Sequence, residues 1–297
     1  MLRHRATELS ARLGGPAWAA QAPFGVPCYR ESEDVMRLYY EIALRSFRRA
    51  ATYRSAYIAG LLTNAFFGAV LSFVYLGIYG AGGSVAGLSV HDAVSYVWIM
   101  QSLISIGSGW LSGEIMQTIR SGDVVAELSR PWSFYGYWMS RAIGERAFNL
   151  LIRGSLTYLI GFLYFDARLP TSDDALAFTA AIILAIVVSF AYSFAVNLSA
   201  FWLIDSTGVM LIANITLGFF SGFLLPLAFF PPALAAVARA LPFQAMAGLP
   251  AQVFLGQLKG AALLWALLLQ AFWAVALTAL ALVVQRAAMR KVVIQGG

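Results

Sequence analysis

The sequence predicts an all-α membrane protein: six transmembrane helices, an interfacial helix ahead of the first, and an outer loop of short helices before the last. Three observations carry that prediction. Hydrophobic residues make up 60% of the 297-residue chain and charged residues only 11%, where a soluble domain has roughly 45–50% and about 25%. The mean hydropathy is +0.75. A chain of this length cannot hide so much apolar surface from water, so lipid must be its solvent. The second observation is the spacing of charge. Stretches of 36, 21, 30, 33 and 26 residues carry no Asp, Glu, Lys, Arg or His, beginning after Arg54, Asp92, Asp174, Asp205 and Lys259. A helix needs roughly 20 apolar residues to cross a hydrocarbon core of ~30 Å. The third is the distribution of basic residues. Seventeen of the twenty Lys and Arg fall in the N-terminal region, the second loop with the start of span three, and the tail. Only Arg168, Arg239 and Lys259 fall on the other side. Positive loops stay in the cytoplasm, which places both termini there.

Residues 1–33 are rich in Ala, Gly, Pro and Arg without periodicity. They read as a mobile cytoplasmic tail, or as an extension upstream of a natural start at Met36. They contain no apolar run long enough for a signal peptide. Over residues 34–52, Asp34, Arg37, Glu41, Arg45 and Arg48 recur every three or four residues and line one narrow strip of a helix. Val35, Tyr39, Ile42, Ala43 and Phe47 occupy the opposite side, which predicts a helix lying in the headgroup plane. The spans come next, at about 57–79, 93–113, 147–165, 175–203, 207–228 and 261–285, the third requiring Arg153 to snorkel to an interface. Residues 292–297 form a short tail.

Between spans two and three, Glu114 to Arg146 form a long cytoplasmic loop. Gly122 interrupts the helix leaving span two. Asp123 is placed to cap a short helix, Asp123–Ser129, which Pro131 stops. Val124, Val125 and Leu128 give that helix an apolar face rimmed by Arg120, Asp123, Glu127 and Arg130, the composition of a docking surface. Between spans five and six, Leu225 to Gly260 is apolar but broken by five prolines, Pro226, Pro231, Pro232, Pro242 and Pro250. Pieces such as Ala233–Leu241 are too short to span and fit short helices dipping into the outer leaflet, covered by protein.

Several chemistries find no residues. Neither Lys259 nor Lys291 follows a glycine, so no phosphate-binding loop GxxxxGK[ST] exists. There is no HExxH, and His4 and His91 stand apart. Cys28 is the only cysteine, which excludes an intrachain disulfide. No soluble basic domain exists to bind nucleic acid. Glu114, Asp123 and Glu127 are the one acidic cluster, beside docking-like apolar residues, which disfavours a lipid-processing enzyme. No carboxylate falls near a predicted midplane, which weighs against an ion-coupled secondary carrier, the alternative reading. Inside the spans, Gln101, Ser105, Gly109 and Gly113 form a stripe on span two, and Gly218 and Gly222 repeat the spacing on span five. Asn64, Gln101, Asn197 and Asn214 offer uncharged polar groups that bond across helices or face a pathway. Trp98, Trp110, Phe219, Phe220 and Phe223 offer aromatic faces to a hydrophobic cation or to lipid.

The interfacial helix, the six spans, the segment after span two and the broken outer loop together resemble the permeases of ABC type 2 exporters. Two motifs narrow the likeness: Ile119-Arg120-Ser121-Gly122-Asp123 followed by Leu128-Ser129-Arg130-Pro131, and Leu241-Pro242-Phe243 with Pro250 and Leu255-Gly256. The chain is most similar to the bacterial permeases grouped with viologen and multidrug exporters, over Met36 to Lys291. The resemblance implies a transmembrane domain over 34–291 with an elbow helix at 34–52, a cytoplasmic coupling helix and a re-entrant outer loop, in the bacterial inner membrane. It implies a permease with no enzymatic site of its own. Two copies of a separate ABC ATPase would hold ATP and magnesium, and the second permease would be a related different chain or a second copy. Arg120, Gly122, Asp123, Val124, Val125, Glu127, Leu128, Arg130 and Pro131 would couple to the ATPase. Asn64, Trp98, Gln101, Asn214, Phe219 and Phe220 would line the path of a hydrophobic or cationic molecule.

Overall fold

The computed structural model describes residues 33–80, 84–85, 88–104, 106, 111–203 and 205–291. The tails 1–32 and 292–297, and Ser105, Gly109 and Trp110 of span two, lie outside them. The elements are α1 (Glu33–Thr52), α2 (Arg54–Tyr79), a hairpin of β1 (Ser84–Val85) and β2 (Leu88–Ser89), and α3 (Val90–Leu103). Then come α4 (Glu114–Ser121), α5 (Val124–Leu128), α6 (Phe134–Phe165, with a π-helical stretch at Asn149–Gly154) and α7 (Ser172–Asn197, continued by a 3-10 turn to Phe201). The last are α8 (Thr207–Phe220), α9 (Pro232–Ala240), a 3-10 turn at Pro242–Met246, α10 (Gly248–Phe254) and α11 (Gly260–Met289). Residues 33–41, the opening turns of α1, belong to one compact unit, and residues 42–291 to another. In the first, Val35, Met36 and Tyr40 are exposed. The second holds the whole helical bundle.

Among the described residues, four helices are long and apolar enough to cross a membrane: α2, α6, α7 and α11, of 26, 32, 30 and 30 residues, α7 counted with its 3-10 turn. Of the predicted span 207–228 only Thr207–Phe220 is α-helix; of the predicted span 93–113 the described α-helix covers Val90–Leu103, and residues 105 and 107–110 lie outside the described residues. Each holds an α-helix of 14 residues, about 21 Å at 1.5 Å per residue. α3 runs to Leu103, and Ile104 after it keeps helical backbone angles. α8 ends at Phe220, and Gly222 then takes a left-handed φ of 84° before Pro226. A charge-free window registers hydropathy and is blind to these breakers. The third span also differs. Its helix starts at Phe134 rather than 147, because Arg141, Glu145 and Arg146 are helix formers whose charges stay at one end of it. At 32 residues α6 is ~48 Å long, longer than the hydrocarbon core.

α3 is the central helix. Every residue from Ala93 to Leu103 is buried, as expected of a helix that is apolar all round. Ser89 and Asp92 start it with reciprocal side-chain-to-backbone bonds. Two glycines let its neighbours close on it. Gly68 of α2 and Gly161 of α6 each lie against the Trp98 ring, where a methyl group would overlap the indole. α7 and α11 form the other large contact, bridged by Gln270, whose amide donates to Ala181 O (3.1 Å) and Ala245 O (2.8 Å). By contrast α2 exposes Leu62, Phe66 and Phe73, and α11 exposes Leu264, Phe272 and Val275. Large apolar side chains facing outward in such numbers mark a lipid-facing surface.

Charges pair at the two ends. At the near end, where the second half of α1 meets α4, Glu114 accepts from Arg49 (3.1 Å) and Arg141 (2.9 Å), and Arg120 pairs with Asp205 (3.6 Å). At the far end Arg168 pairs with Asp92 (2.9 Å), His91 meets Asp166, and Lys259 meets Asp174.

Candidate functional site

The segment from Glu114 to Pro131 is built as a projecting tip on a fixed base. The base is α4, whose Ile115 and Met116 are buried. Asn197, at the end of α7 and fully buried, holds it: its Oδ1 accepts from Met116 N (3.0 Å), while its Nδ2 donates to Ser112 O (2.9 Å) and Ser193 O (2.8 Å). A buried amide with all its bonds made fixes one geometry, since leaving any of them unmade costs about 1–3 kcal/mol. Gly122 ends α4 in the left-handed conformation and turns the chain into α5. Asp123 precedes α5, but its carboxylate does not cap the helix as expected. It accepts from Ser121 Oγ (2.6 Å) instead, because its own backbone is already helical and the capping geometry needs an extended residue.

The predicted apolar face of α5 divides. Val124 is buried among Phe134, Trp138, Phe190 and Phe194, which belong to α6 and α7, with Leu128 half-buried beside them. Val125 is 40% exposed. It stands on an outward strip with Gly122, Asp123, Ala126, Arg130 and Pro131. Behind the strip, the Trp138 indole N–H donates to Glu127 Oε2 (2.9 Å). Arg141 lies 4.5 Å over the Trp138 ring, and Arg130 5.1 Å over Trp132. Arg146 reaches α7 by donating to Ile186 O and Ser189 Oγ, both at 2.9 Å. The segment behind the strip is therefore packed and hydrogen-bonded onto α6, and α6 onto α7. The anchors Trp138, Arg141, Arg146 and Asp205 are additional to the coupling residues the sequence singles out, and Asn197, read there as an amide that bonds across helices or faces a pathway, makes bonds to α4. Trp138, Arg141 and Glu145 sit at helical spacing on one face, a signal visible in the sequence; that Asn197 meets α4 is a tertiary fact.

Partial burial pushes the Glu127 carboxyl above the ordinary carboxylate range, against the opposing effect of the Trp138 bond. Ionisation there costs stability above the raised pKa, and the cost disappears as pH falls through it and through the unfolded value. Glu127→Gln keeps an acceptor for Trp138 and removes that cost. Its melting temperature should exceed the parent's at about pH 7, and the two should converge at about pH 4. Parallel curves across that interval would refute the assignment.

The six predicted pathway residues fall into two groups. Asn64 donates to Gln101 O (3.1 Å), and with Trp98 and Gln101 it lies in the packed contact of α2 and α3, all three buried. Asn214, Phe219 and Phe220 lie on α8. Asn214 accepts from Leu111 N (2.7 Å) and donates to Met210 O (3.0 Å). Phe219 is 40% exposed and packs against Phe220 and Phe230 with ring centroids 5.1 Å apart in each case. A cavity of about 430 Å³ opens at the near end between Arg49, Tyr57, Glu114, Glu145 and Arg153, and Arg153 stretches over Gly60 to reach it. Among the described residues no cluster of His, Cys, Asp and Glu could hold a metal ion.

The family model for ABC-2 family transporter proteins matches residues 66–296. The chain belongs to that family. No curated protein matches it at a significant level. An ABC-2 transporter chain with several lipid-exposed apolar helices is a multi-pass membrane protein and the transport component of its system. Within that family assignment, the projecting tip and the two polar groups around α3 and α8 take functional readings.

Proposed function

We propose that this ABC-2 chain is the permease subunit of an ATP-driven exporter in a bacterial inner membrane, working with two copies of a separate ABC ATPase and a second permease. The observation that carries the proposal is the tip itself. Asp123, Val125 and Arg130 are exposed, while the other side of the same segment is clamped to α6 and α7. That division suits a surface that receives motion from a soluble partner and passes it to the bundle. The ATPase supplies the phosphate loop this sequence lacks and binds ATP and magnesium. Closure of the ATPase pair displaces α5 and switches the cavity between the permeases from inward- to outward-facing.

The excess of Arg at the near end supports cytoplasmic termini, with the far end outside. The cargo is a hydrophobic or cationic small molecule that passes between the two permeases against Phe219, Phe220 and Asn214. Asn64, Trp98 and Gln101 serve it by fixing α2 on α3. The partner permease is a related different chain or a second copy. Purification in mild detergent through a C-terminal tag, followed by mass spectrometry, should recover a soluble subunit with a phosphate-binding loop. A second six-span chain beside it would show a heterodimer. A folded preparation without any ATPase would overturn the proposal.

A further inference from the structure

At the far end, between the broken segment 226–258 and α11, lies a cavity of about 460 Å³. Its polar floor is already occupied. The Tyr96 hydroxyl donates to Gly222 O (3.0 Å) and the Gln244 amide donates to Phe220 O (2.6 Å). Its rim is not. The side chains of Arg239, Gln252 and Gln257 line the cavity and make no hydrogen bond or ion pair among the described residues. Among those residues no carboxylate lines it. The other far-end cations are satisfied, Arg168 by Asp92 and Lys259 by Asp174. Arg239 is left as a guanidinium without a described acid at the mouth of a largely apolar space. The remaining wall is α11, where Trp265 is 73% exposed and stands five residues inside the helix start. A tryptophan facing lipid that close to a span's end marks the headgroup level, and Leu269, one turn further, lines the same cavity.

We propose that this cavity binds the phosphate headgroup of an anionic glycerophospholipid from the leaflet at the far end, opposite the Arg-rich end. Arg239 takes the phosphate oxygens, for which a guanidinium is the best-matched donor. Gln252 and Gln257 bond the polar substituent. The acyl chains run along α11 past Trp265 and Leu269 into the bilayer. Electrostatics separate this lipid from the cargo: a lone cation repels a hydrophobic cation and attracts an anionic headgroup. The site depends on neither the identity of the cargo nor the ATPase.

The test is native mass spectrometry of the purified, delipidated protein titrated with phosphatidylglycerol or phosphatidylcholine in detergent. Phosphatidylglycerol should bind at least about tenfold more tightly, because phosphatidylcholine carries the same phosphate but sets its choline cation against Arg239. Arg239→Gln should abolish that preference and Arg239→Lys should retain part of it. Arg286→Gln, at the opposite end of α11, should leave it unchanged. Arg239 is exposed and its side chain makes no hydrogen bond or ion pair among the described residues, so its variants should melt as the parent does. As a second variant, Ala262→Trp should fill the mouth and lower binding of the anionic lipid. Equal binding of the two lipids would overturn the proposal. So would a preference that survives both Arg239→Gln and Ala262→Trp, or displacement of the lipid by millimolar inorganic phosphate, which would mark a soluble-anion site.

Discussion

Gly144→Ala should lower the melting temperature sharply, because the new methyl group has no room. Gly144 sits in α6 where the helix crosses the second half of α1, and the added carbon would lie on the carbonyl of Ala43. The obstacle is backbone, so no side-chain rotation relieves it. α1 and α6 would have to separate, and the edge-to-face pair of Phe47 and Phe148 one turn away, at 5.4 Å, would open with them. Helix propensity acts in the opposite direction, favouring alanine by about 1 kcal/mol. Overpacking typically costs about 1–3 kcal/mol and more when backbone must move, so the clash should win. Gly218→Ala is the internal comparison. Gly218 lies in α8 with nothing within 4 Å of its would-be Cβ, so only propensity acts and the melting temperature should hold or rise. If Gly144→Ala proves as stable as Gly218→Ala in the same detergent, the close crossing of α1 and α6 is wrong.

Asp123→Arg should remove ATP-dependent export while leaving the permease folded. Asp123 is exposed, and its carboxylate bonds Ser121 Oγ, also exposed. Reversing its charge therefore disturbs little within the chain, and the melting temperature should stay within the small range of surface substitutions, about 0.5 kcal/mol. At the proposed interface the same change sets like charge against like or leaves a partner cation unpaired, which costs several kcal/mol. Export should fall at least about tenfold, and the ATPase should co-purify less. A compensating reversal on the ATPase should restore both. Export at the parent's level, from a variant present at the parent's abundance, would remove α5 from the coupling role.

The coupling segment shows how far the sequence reaches. Gly122 is legible as a break and Pro131 as a stop because both act through their own backbone. Val124 and Val125 are legible as apolar but not as divided, since which of two adjacent valines meets Phe134 and Phe194 depends on how α5 lies on α6 and α7. Asp123 reads as a helix cap by its type and position. Its backbone is helical in the fold, and the carboxylate turns to Ser121 instead. The polar groups Asn64, Gln101, Asn197 and Asn214 stand out for being amides in apolar helices. Only the packing separates Asn197, which ties α7 to α4, from Asn214, which reaches Leu111. Arg239 stands out in the sequence only as one of three basic residues on the outer side, because its lack of a described partner is a property of the space around it.

The sequence by itself determined that lipid surrounds this protein, where Gly122 and Pro131 interrupt the chain, and where positive charge accumulates. These follow from transfer free energy, backbone preference and charge, all of which act residue by residue. The tertiary structure decided that α3 is wrapped by its neighbours and α2 is not, that α6 runs past its apolar stretch to carry Trp138 and Arg141, and that a cavity opens beside Arg239. Those outcomes rest on contacts between residues far apart in the chain, such as Gly161 against Trp98 and Asn197 beneath Met116. A hydropathy pattern records how apolar each residue is, but not which other residue it will meet.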